Sequence, residues 1–448
     1  MPELVDLAVA VAGQAGPDEE LEAYVSRGRQ TQVRAFEGEV ESFSSAESAG
    51  VGVRVVHKGR TGFAWVGSLS EAAAAEALAE ARDNGAYASE DPFAGLASPD
   101  GVLPAELDLW RDDLAAMPND DKIELALDLE RQARAGDPRI RQVVHADYGD
   151  AVGESAIATS TGISVTTRRS TCQLAVYVVA GEGGDDSQTG YGCSAGRQAS
   201  DLDVAKATGE AVERATRLLG ARKPPSARLT VVFDRRITAV LVSIIAGTLS
   251  GEEVAKGRSL FTGRTDEEVA VPAFTLVDDP TNAAALGAAV SDGEGLSCRR
   301  NRLIDGGKLL GYLYDTHAAR AAGTVSTGSA VRGGYRTTPG VGARAVSLEP
   351  GDLGQQEILA KVGEGLLVQS VSGVHSGVNP VSGDFSVGAE GLMVRGGALA
   401  EPVREITIAS SLQRMLQHVL YIGADVEWLP GLSAGLTLAI DDVSMSGA

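Results

Sequence analysis

Hydrophobic residues recur in two different patterns along the first part of the chain. In residues 2–14 they repeat at the spacing of one helix face, which predicts an amphipathic opening helix. From residue 21 to residue 66 the pattern changes to short runs rich in Val, Thr and aromatic residues, broken by Gly28, Gly38 and Gly59, which predicts an antiparallel meander. The predicted strands are residues 23–27, 31–36, 40–43, 51–56 and 61–66.

Later segments of the first half favour helices. Each combines high helix propensity with an N-terminal signal, such as the capping pattern Ser68-Leu69-Ser70-Glu71, or with a glycine or loop at its end. We expect the alanine-rich helix that follows this capping pattern to cover the meander. The predicted helices are residues 71–87, 119–135 and 201–219.

Residues 142–180 predict further strands, with a hairpin turn at Thr161-Gly162. Residues 181–200 are rich in Gly, Asp and Ser, which predicts a long hairpin loop. That segment contains Gly192-Cys193-Ser194-Ala195-Gly196, a pattern typical of the nucleophile elbow of hydrolases. Because an elbow requires a buried strand that turns directly into a helix, a preceding loop argues against a catalytic serine there.

The best candidate for a domain boundary is Lys223-Pro224-Pro225, because paired prolines extend the chain and end the preceding helix. We therefore predict an N-terminal domain in residues 1–222 and a C-terminal domain in residues 226–448. The second domain begins with a strand and a helix and continues as a Gly-, Val-, Ser- and Thr-rich region with one late helix. These elements are the strand 229–233 and the helices 235–249 and 410–420.

Together these patterns predict an α+β fold. The N-terminal domain is expected to be an antiparallel sheet with covering helices. The C-terminal domain is expected to be mostly β, with a barrel- or sandwich-like arrangement.

Composition and charge narrow the function. The chain has 448 residues, 44% apolar and 22% charged, which is typical of a globular protein with substantial buried cores. A net charge of −22 opposes binding to nucleic acid and to anionic membranes, which depends on clustered Lys and Arg. No apolar run reaches membrane-spanning length, the first residues are acidic where a secretory signal is basic, and the three cysteines are scattered. We expect a cytoplasmic protein that binds neither nucleic acid nor membrane.

The ionisable residues form no recognisable catalytic pattern. Zinc hydrolases place two histidines one helical turn apart beside a glutamate, so that both imidazoles face one ion. No two of the five histidines lie within one turn, and neighbouring acidic residues are typical of solvated loops in an acidic protein. The histidines are His57, His145, His317, His375 and His418, and the acidic groups are Glu252-Glu253, Asp278-Asp279 and Asp292-Gly293-Glu294.

A series of short motifs resembles the TldD/PmbA family, in the same order along the chain. The N-terminal resemblance is loose and covers residues 50–55 and 59–64. The C-terminal resemblance is more specific and runs from residue 249 to residue 447. Its motifs include Leu249-Ser250-Gly251-Glu252-Glu253-Val254, Val277-Asp278-Asp279-Pro280, Asp292-Gly293-Glu294-Gly295, Val378-Asn379-Pro380-Val381-Ser382-Gly383-Asp384 and Val443-Ser444-Met445-Ser446-Gly447.

The TldD branch of that family carries an HExxxH helix and a later cysteine, which together hold the catalytic metal. Counted back from Lys256-Gly257-Arg258-Ser259, the three helix positions fall on Val242, Ser243 and Gly247, and no cysteine follows Cys298. None of these side chains serves as a metal ligand or a general base. The chain therefore resembles the TldE/PmbA branch, which implies no catalytic residue, no metal and no cofactor on this chain.

The resemblance also implies a partner. TldD and TldE pair as a heterodimer, in which the zinc-bearing TldD subunit cleaves unfolded or small peptides inside an enclosed cavity. In that arrangement the present chain supplies cavity walls and stabilises its partner. Studied alone, it could form a homodimer through the same face.

Two other functions stay open on the sequence. One is a regulatory or binding protein of the gyrase-modulator type, a label that the family also carries. The other is a stand-alone hydrolase adapted to peptide or small-molecule tailoring, because one late loop gathers His, Ser, Asn and Asp side chains. Since such residues also cap their own backbone turns, we predict them only as cavity lining. They are His375, Ser376, Asn379 and Asp384.

Overall fold

The first half of the chain forms one antiparallel sheet of six strands. The computed structural model describes residues 2–431 and 433–448. The strands are β1 (Glu19–Phe36), β2 (Glu39–His57), β3 (Arg60–Val66), β4 (Ile140–Thr159), β5 (Ser164–Ala180) and β6 (Gln188–Gly196). The helices are α1 (Pro2–Ala12), α2 (Glu71–Tyr87), α3 (Asp112–Ala115), α4 (Asn119–Ala135) and α5 (Val204–Thr216). In space the strand order is β3-β2-β1-β4-β5-β6.

The strands of the meander are longer than the sequence predicted. Gly28 lies inside β1, where it pairs with Ser48 of β2 and Gly153 of β4. A Cβ atom at this position would lie 3.0 Å from the carbonyl oxygen of Val152, so a glycine suits the close backbone contact. The predicted break at Gly28 is therefore wrong, because ladder hydrogen bonds on both sides of β1 outweigh the low strand propensity of glycine.

The helices cover one face of the sheet because apolar residues alternate along its strands. Leu21, Ala23 and Val25 of β1 are fully buried in a cluster with α1 and α2. Val33 and Ala35 of the same strand belong to a second cluster with α4 and α5. Complete burial of one Val or Leu side chain contributes about 1.5–3 kcal/mol. The prediction of an antiparallel N-terminal sheet with covering helices is confirmed.

Residues 181–200 contain a strand where the sequence predicted a loop. β6 pairs with β5, and α5 packs directly on it. A Cβ atom at Gly192 would lie 1.8 Å from the carbonyl oxygen of Ala207, so only glycine allows the helix to approach this closely. The glycines here permit tight helix packing, which is why composition misled the prediction. Ser194 is buried in this strand and accepts a backbone hydrogen bond of 2.9 Å from Asp203.

The second half of the chain is built around a β-barrel. Its strands are β7 (Ala227–Phe233), β8 (Leu276–Asp278), β9 (Asn301–Asp305), β10 (Lys308–Leu309), β11 (Ala330–Val331), β12 (Gly340–Val341), β13 (Val346–Leu348), β14 (Gly365–Ser372), β15 (Asp384–Arg395), β16 (Ala398–Ser411), β17 (Val419–Ile422), β18 (Glu427–Trp428), β19 (Ala434–Gly435) and β20 (Leu438–Ser446). Its helices are α6 (Arg235–Thr248), α7 (Gly251–Ala255), α8 (Thr316–Ala322), α9 (Gln355–Val362), α10 (Val374–Gly377) and α11 (Leu412–Gln417).

Five strands close the barrel in the order β16-β15-β14-β7-β20, because β16 also pairs with β20. β7 and β14 run parallel, whereas the other neighbours in the ring run antiparallel. Buried apolar residues such as Phe233, Val368 and Ile440 form its core, and α6 contributes to the same cluster. The prediction of a mostly β, barrel-like C-terminal region is confirmed.

The late helix is shorter than predicted. α11 spans only Leu412–Gln417, since β16 continues to Ser411 and β17 begins at Val419. Pairing of these flanking residues with neighbouring strands overrides the helical periodicity of residues 410–420. No helix within the described ranges is long and apolar enough to cross a bilayer.

A buried ion pair joins the two halves. Arg214 of α5 donates two hydrogen bonds of 2.8 Å to Asp234, which caps the N-terminus of α6. Arg214 also donates to the carbonyl oxygen of Gln369 in the barrel. The division into separate domains at residues 1–222 and 226–448 stays a prediction.

Candidate functional site

A cavity of about 930 Å³ lies between the sheet of the first half and loops of the second half. Its floor is the middle of β1, β4 and β5, on the face opposite the covering helices. Because side chains alternate along a strand, Tyr24, Ser26 and Gln30 point to this face. Residues 288–293 and 332–336 form the opposite wall. A cavity of this volume suits a small molecule or a short peptide segment.

The middle of the floor is small and polar. Gly28 and Gly153 pair with each other across β1 and β4. Beside them, the hydroxyl groups of Ser155 and Thr167 are joined by a hydrogen bond of 2.8 Å. Small side chains keep the space above the sheet open, and the hydroxyls offer both donors and acceptors to a ligand.

Arg169 of β5 shares this face of the sheet with Thr167, two residues away. Within the described chain its guanidinium makes no hydrogen bond and has no carboxylate at ion-pair distance. Arg344 lines the same cavity and donates a hydrogen bond of 3.1 Å to the carbonyl oxygen of Ala330. Partial removal of the Arg169 guanidinium from water lowers its pKa, and the positive charge of Arg344 lowers this pKa further. The cavity therefore holds one positive charge, that of Arg169, with no carboxylate at ion-pair distance within the described chain.

A buried network of charged residues lies beside the cavity. Glu22 of β1 accepts a hydrogen bond of 2.7 Å from Arg54 of β2 and another from Arg332 of the second half. Arg54 also lies 3.7 Å from Glu294, and the Arg332 guanidinium stacks 4.7 Å above the ring of Tyr24. Burial raises the pKa of Glu22, but the charges of Arg332 and Arg54 outweigh burial and hold this pKa below its ordinary value. The network thus ties both halves together next to the cavity.

Acidic residues that the sequence placed on solvated loops are buried. Asp278, Asp292 and Glu294 are exposed by only 1%, 3% and 1%. Asp292 Oδ1 accepts backbone hydrogen bonds of 2.9 Å from Glu294 and 3.0 Å from Leu296. Asp278 accepts similar bonds from two backbone N–H groups at residues 344–345. The prediction of solvated loops is wrong for Asp278 and Asp292, because backbone N–H groups replace water around their carboxylates, and Glu294 is buried as well.

Asp292 is expected to titrate near neutral pH. Burial and the neighbouring charge of Glu294 raise its pKa to about 7, from an ordinary value of 3.8. The folded state therefore keeps a proton that the unfolded chain loses. The contribution of this group to stability is fully present below the unfolded pKa and is lost as the pH rises through about 7.

Carboxyl ¹³C chemical shifts measured against pH test this expectation. The Asp292 signal should titrate with a midpoint near 7. Asp137, whose pKa Arg139 lowers to about 2, is the internal control and should not titrate near neutral pH. An Asp292 midpoint near the ordinary value of about 3.9 would contradict the expectation.

Domain models of one known family match nearly the whole chain. The PmbA/TldA metallopeptidase domain 1, central domain and C-terminal domain match residues 21–85, 112–219 and 226–447, respectively. The chain belongs to the PmbA/TldD metallopeptidase family.

Individual members of the PmbA/TldD family align with the chain over almost its full length. Metalloprotease PmbA of Escherichia coli O157:H7 is 29% identical over 444 residues, which cover 98% of this chain and 94% of the relative. The metalloprotease PmbA homologue of Haemophilus influenzae is 27% identical and covers 99% of this chain and 95% of its own. The crystal structure of TldE from Thermococcus kodakarensis has a TM-score of 0.88 at 24% identity, covering 96% of this chain and 97% of that one. A proposed modulator of DNA gyrase from Thermotoga maritima has a TM-score of 0.89 at 23% identity, covering 99% and 100%. These structures share the fold.

The positions matched to the metal helix of the TldD branch lie on α6. Val242 is 1% exposed and lies among apolar side chains that include Phe274. Ser243 Oγ lies 2.6 Å from Ser433 Oγ, and Gly247 is exposed. These positions offer no imidazole, thiolate or carboxylate, so they do not fit a zinc ion. In the described ranges, no three His, Cys, Asp or Glu side chains are grouped to hold a metal. That the chain carries no cofactor stays a prediction.

The four loop residues predicted as cavity lining do not line the cavity between the halves. His375 and Ser376 are exposed on α10. Asn379 Oδ1 accepts a hydrogen bond of 2.9 Å from the backbone N–H of Val381. Asp384 accepts a hydrogen bond of 2.6 Å from the hydroxyl group of Ser382. These bonds stabilise the local turn. Their part in a cavity formed with a second subunit stays a prediction.

Sequence reasoning missed Arg169. It belongs to the pair Arg168-Arg169 inside a segment correctly predicted as β-strand. Neighbouring residues of a strand point to opposite faces, so the helices can cover at most one of these two arginines. Adjacent basic residues within a strand of a chain with net charge −22 were the available signal.

Proposed function

We propose that this chain is the non-catalytic subunit of a two-subunit metalloprotease of the TldD/TldE type. The pair acts in the cytoplasm on unfolded or small peptides. The TldD-type partner holds the catalytic zinc, and this chain supplies cavity walls and stabilises the partner.

The observation that carries the proposal is the set of side chains on α6 at the three positions matched to the metal helix. A catalytic zinc site needs nitrogen, sulfur or oxygen ligands that converge on one open position. On this helix the matched positions are an apolar residue in the core, a serine paired with Ser433, and a glycine. The helix is therefore used for packing, although family membership places the chain among metallopeptidases.

An open strand edge supports the need for a partner. β3 pairs only with residues 51–57 of β2, so within the described chain the outer edge of residues 39–50 has no neighbouring strand. Residues 39–48 are all exposed, and Val40 and Phe43 expose 39% and 40% of their surface. A long open edge with apolar side chains readily pairs with another chain. In this proposal the metal-bearing subunit covers it.

The charge of this edge favours a heterodimer over a homodimer. Glu39, Glu41 and Glu47 lie along it, with no Lys or Arg between residues 39 and 50. In a two-fold pairing of identical edges, these glutamates would face one another and repel. A partner with basic or neutral residues at the matching positions avoids that repulsion.

Replacing Phe43 with serine is expected to weaken binding of the TldD-type partner about tenfold, because aromatic residues at interface centres commonly dominate affinity. Calorimetric titration of the purified subunits measures the effect. Tyr87→Ser is the matched control, since Tyr87 is 92% exposed at the end of α2, outside the open edge. Equal losses of affinity for both variants would contradict the assignment of this edge.

The deciding experiment compares the purified chain alone with the chain plus the TldD-type protein of the same organism. Bound zinc and hydrolysis of an unstructured peptide are measured in each sample. A metal-free, inactive lone chain and an active, zinc-bearing pair would support the proposal. A lone chain that cleaves the peptide would overturn it. Tight binding to DNA gyrase without any peptidase partner would favour the regulatory alternative.

A further inference from the structure

The cavity between the halves combines several positively charged side chains with little neutralising charge. Arg169, Arg332 and Arg344 line it, and Arg197 lies near Arg169 with 7% of its surface exposed. Among the residues that the structure describes, only Arg332 of these four has a carboxylate at ion-pair distance, that of Glu22. The other guanidinium groups contact only backbone carbonyl oxygens or no acceptor.

These arginines repel one another. Burial lowers the pKa of Arg197, and the positive charges of Arg169 and Arg111 lower it further. Arg344 has the same effect on Arg169. Arg169 is exposed to the solvent of the cavity, so water screens part of this repulsion, and a bound anion would reduce it further.

The carboxylates of the cavity wall do not neutralise this charge. Asp292 accepts backbone N–H groups, Glu154 lies 2.7 Å from Arg27, and Asp108 lies 2.8 Å from Arg111. Arg27 and Glu154 point to the helix-covered face, because each alternates with residues of the cavity floor. The other carboxylate that lines the cavity is that of Glu106, and this residue is exposed to solvent.

The floor offers side chains for recognition, and two of its three strands are closed to strand addition. β1 and β4 each have a strand neighbour on both edges along the floor. β5 pairs with β4 on one edge, but β6 covers only residues 172–180 of its other edge, so within the described chain residues 164–171 have no strand neighbour there. A ligand lying on this face meets the Ser155 and Thr167 hydroxyls and the Arg169 guanidinium. A guanidinium presents its donors in a planar fork that matches both oxygens of a carboxylate.

We propose that this cavity binds a carboxylate group of an acidic peptide segment, with Arg169 as the principal ligand-contacting residue and Arg344 as the second. The inference rests on the proposed function, since it specifies the class of peptide that the subunit receives. A chain with net charge −22 repels acidic peptides at long range. A local positive cavity therefore provides selectivity only for a segment that has already entered it.

The test measures binding of fluorescein-labelled peptides to the full chain by anisotropy. One unstructured peptide contains Gly, Ser and Glu, and its counterpart carries Gln at every Glu. Each peptide is made with a free and with an amidated C-terminus. Arg169→Gln should weaken binding of the Glu peptide about tenfold, which corresponds to one charge-assisted hydrogen-bonded contact. Binding of the wild type should weaken with added salt.

Two controls separate binding from folding. Arg139→Gln removes the same charge from an exposed position that pairs only with Asp137, and it should leave peptide binding unchanged. The melting temperature of Arg169→Gln should equal or exceed that of the wild type, because the variant removes repulsion but no hydrogen bond or ion pair of the described chain. A lower melting temperature with unchanged peptide binding would show that Arg169 has a structural role and overturn the inference.

The peptide forms identify the source of the carboxylate. Loss of binding on amidation assigns it to the peptide C-terminus, and loss on Glu-to-Gln replacement assigns it to side chains. Equal binding of all four peptides overturns the inference. So does inorganic phosphate if it binds as tightly as the Glu peptide, since the cavity would then be a general oxyanion site.

The two proposals can fail separately. Peptide affinity is measured on the lone chain, whereas hydrolysis is measured on the pair with the TldD-type subunit. An active pair combined with a lone chain that shows no preference for acidic peptides overturns only this inference. A lone chain that cleaves peptides overturns the accessory role and leaves the affinity measurements interpretable.

Discussion

Replacing Glu22 with leucine is expected to destabilise the chain by about 3–5 kcal/mol, because it leaves two buried arginines without their shared carboxylate. Glu22 is 1% exposed, and the side chains of Arg54 and Arg332 are 10% and 2% exposed. Water cannot easily replace the lost partner at such depth. The free energy of unfolding, obtained from urea titration, measures the effect.

A neighbouring ion pair is the matched control for this variant. Glu154 and Arg27 lie 2.7 Å apart on adjacent strands, but their side chains are 17% and 43% exposed. Glu154→Leu should therefore cost less than about 1 kcal/mol. Adding Arg332→Met to Glu22→Leu should recover part of the loss, because one unpaired charge is removed. Equal costs for Glu22→Leu and Glu154→Leu would refute the importance of the buried network.

Replacing Val242 with histidine is expected to destabilise the chain by about 3 kcal/mol, because the imidazole is both larger than valine and polar in an apolar environment. Val242 belongs to the main core of the second half, between α6 and the barrel. The substitution also restores the first residue of the HExxxH pattern. The change in the free energy of unfolding measures how much the packing around α6 depends on an apolar side chain at this position.

Val240→His is the control, because this residue lies on the same helix and exposes 38% of its surface. The exposed variant should change the free energy of unfolding by no more than about 0.5 kcal/mol. If the two variants were equally stable, position 242 would accept a polar side chain. The surroundings of α6 would then tolerate a histidine at this position, which would contradict a purely packing role for Val242.

The two expectations concern different parts of the proposed accessory role. The Glu22 network holds the halves together beside the cavity, so that Arg332 from the second half faces β1 of the first. The substitution at Val242 instead concerns the packing of α6 against the barrel core.

Local sequence patterns predicted the longer helices and the start of the second half near their observed bounds. The alanine-rich segment became α2 at Glu71–Tyr87, and the strand and helix after the paired prolines became β7 and α6. These elements depend on propensities and caps that act over a few residues. The segment 181–200 failed because its glycines serve the contact between β6 and α5, which involves a helix that begins later in the chain.

The candidate site could be predicted much less well than the fold. The residue types at 242, 243 and 247 could be read from the sequence, because the chemistry of a possible ligand belongs to the residue itself. That these positions match a metal helix stays a prediction. The cavity was not, because its walls come from strands of the first half and loops more than a hundred residues later. Asp292 illustrates the difference, since its acidity is visible in the sequence but its burial is not.

The sequence by itself determined several local elements, the family motifs and the side chains available to bind a metal, because these properties depend on residues close together in the chain. Only the tertiary structure decided which charges meet. Glu22 and Arg332 are 310 positions apart, and no local pattern encodes their contact. The free energy of a charged group depends on whether water or another residue surrounds it, so pairing, burial and the positive cavity arise only when distant segments pack together.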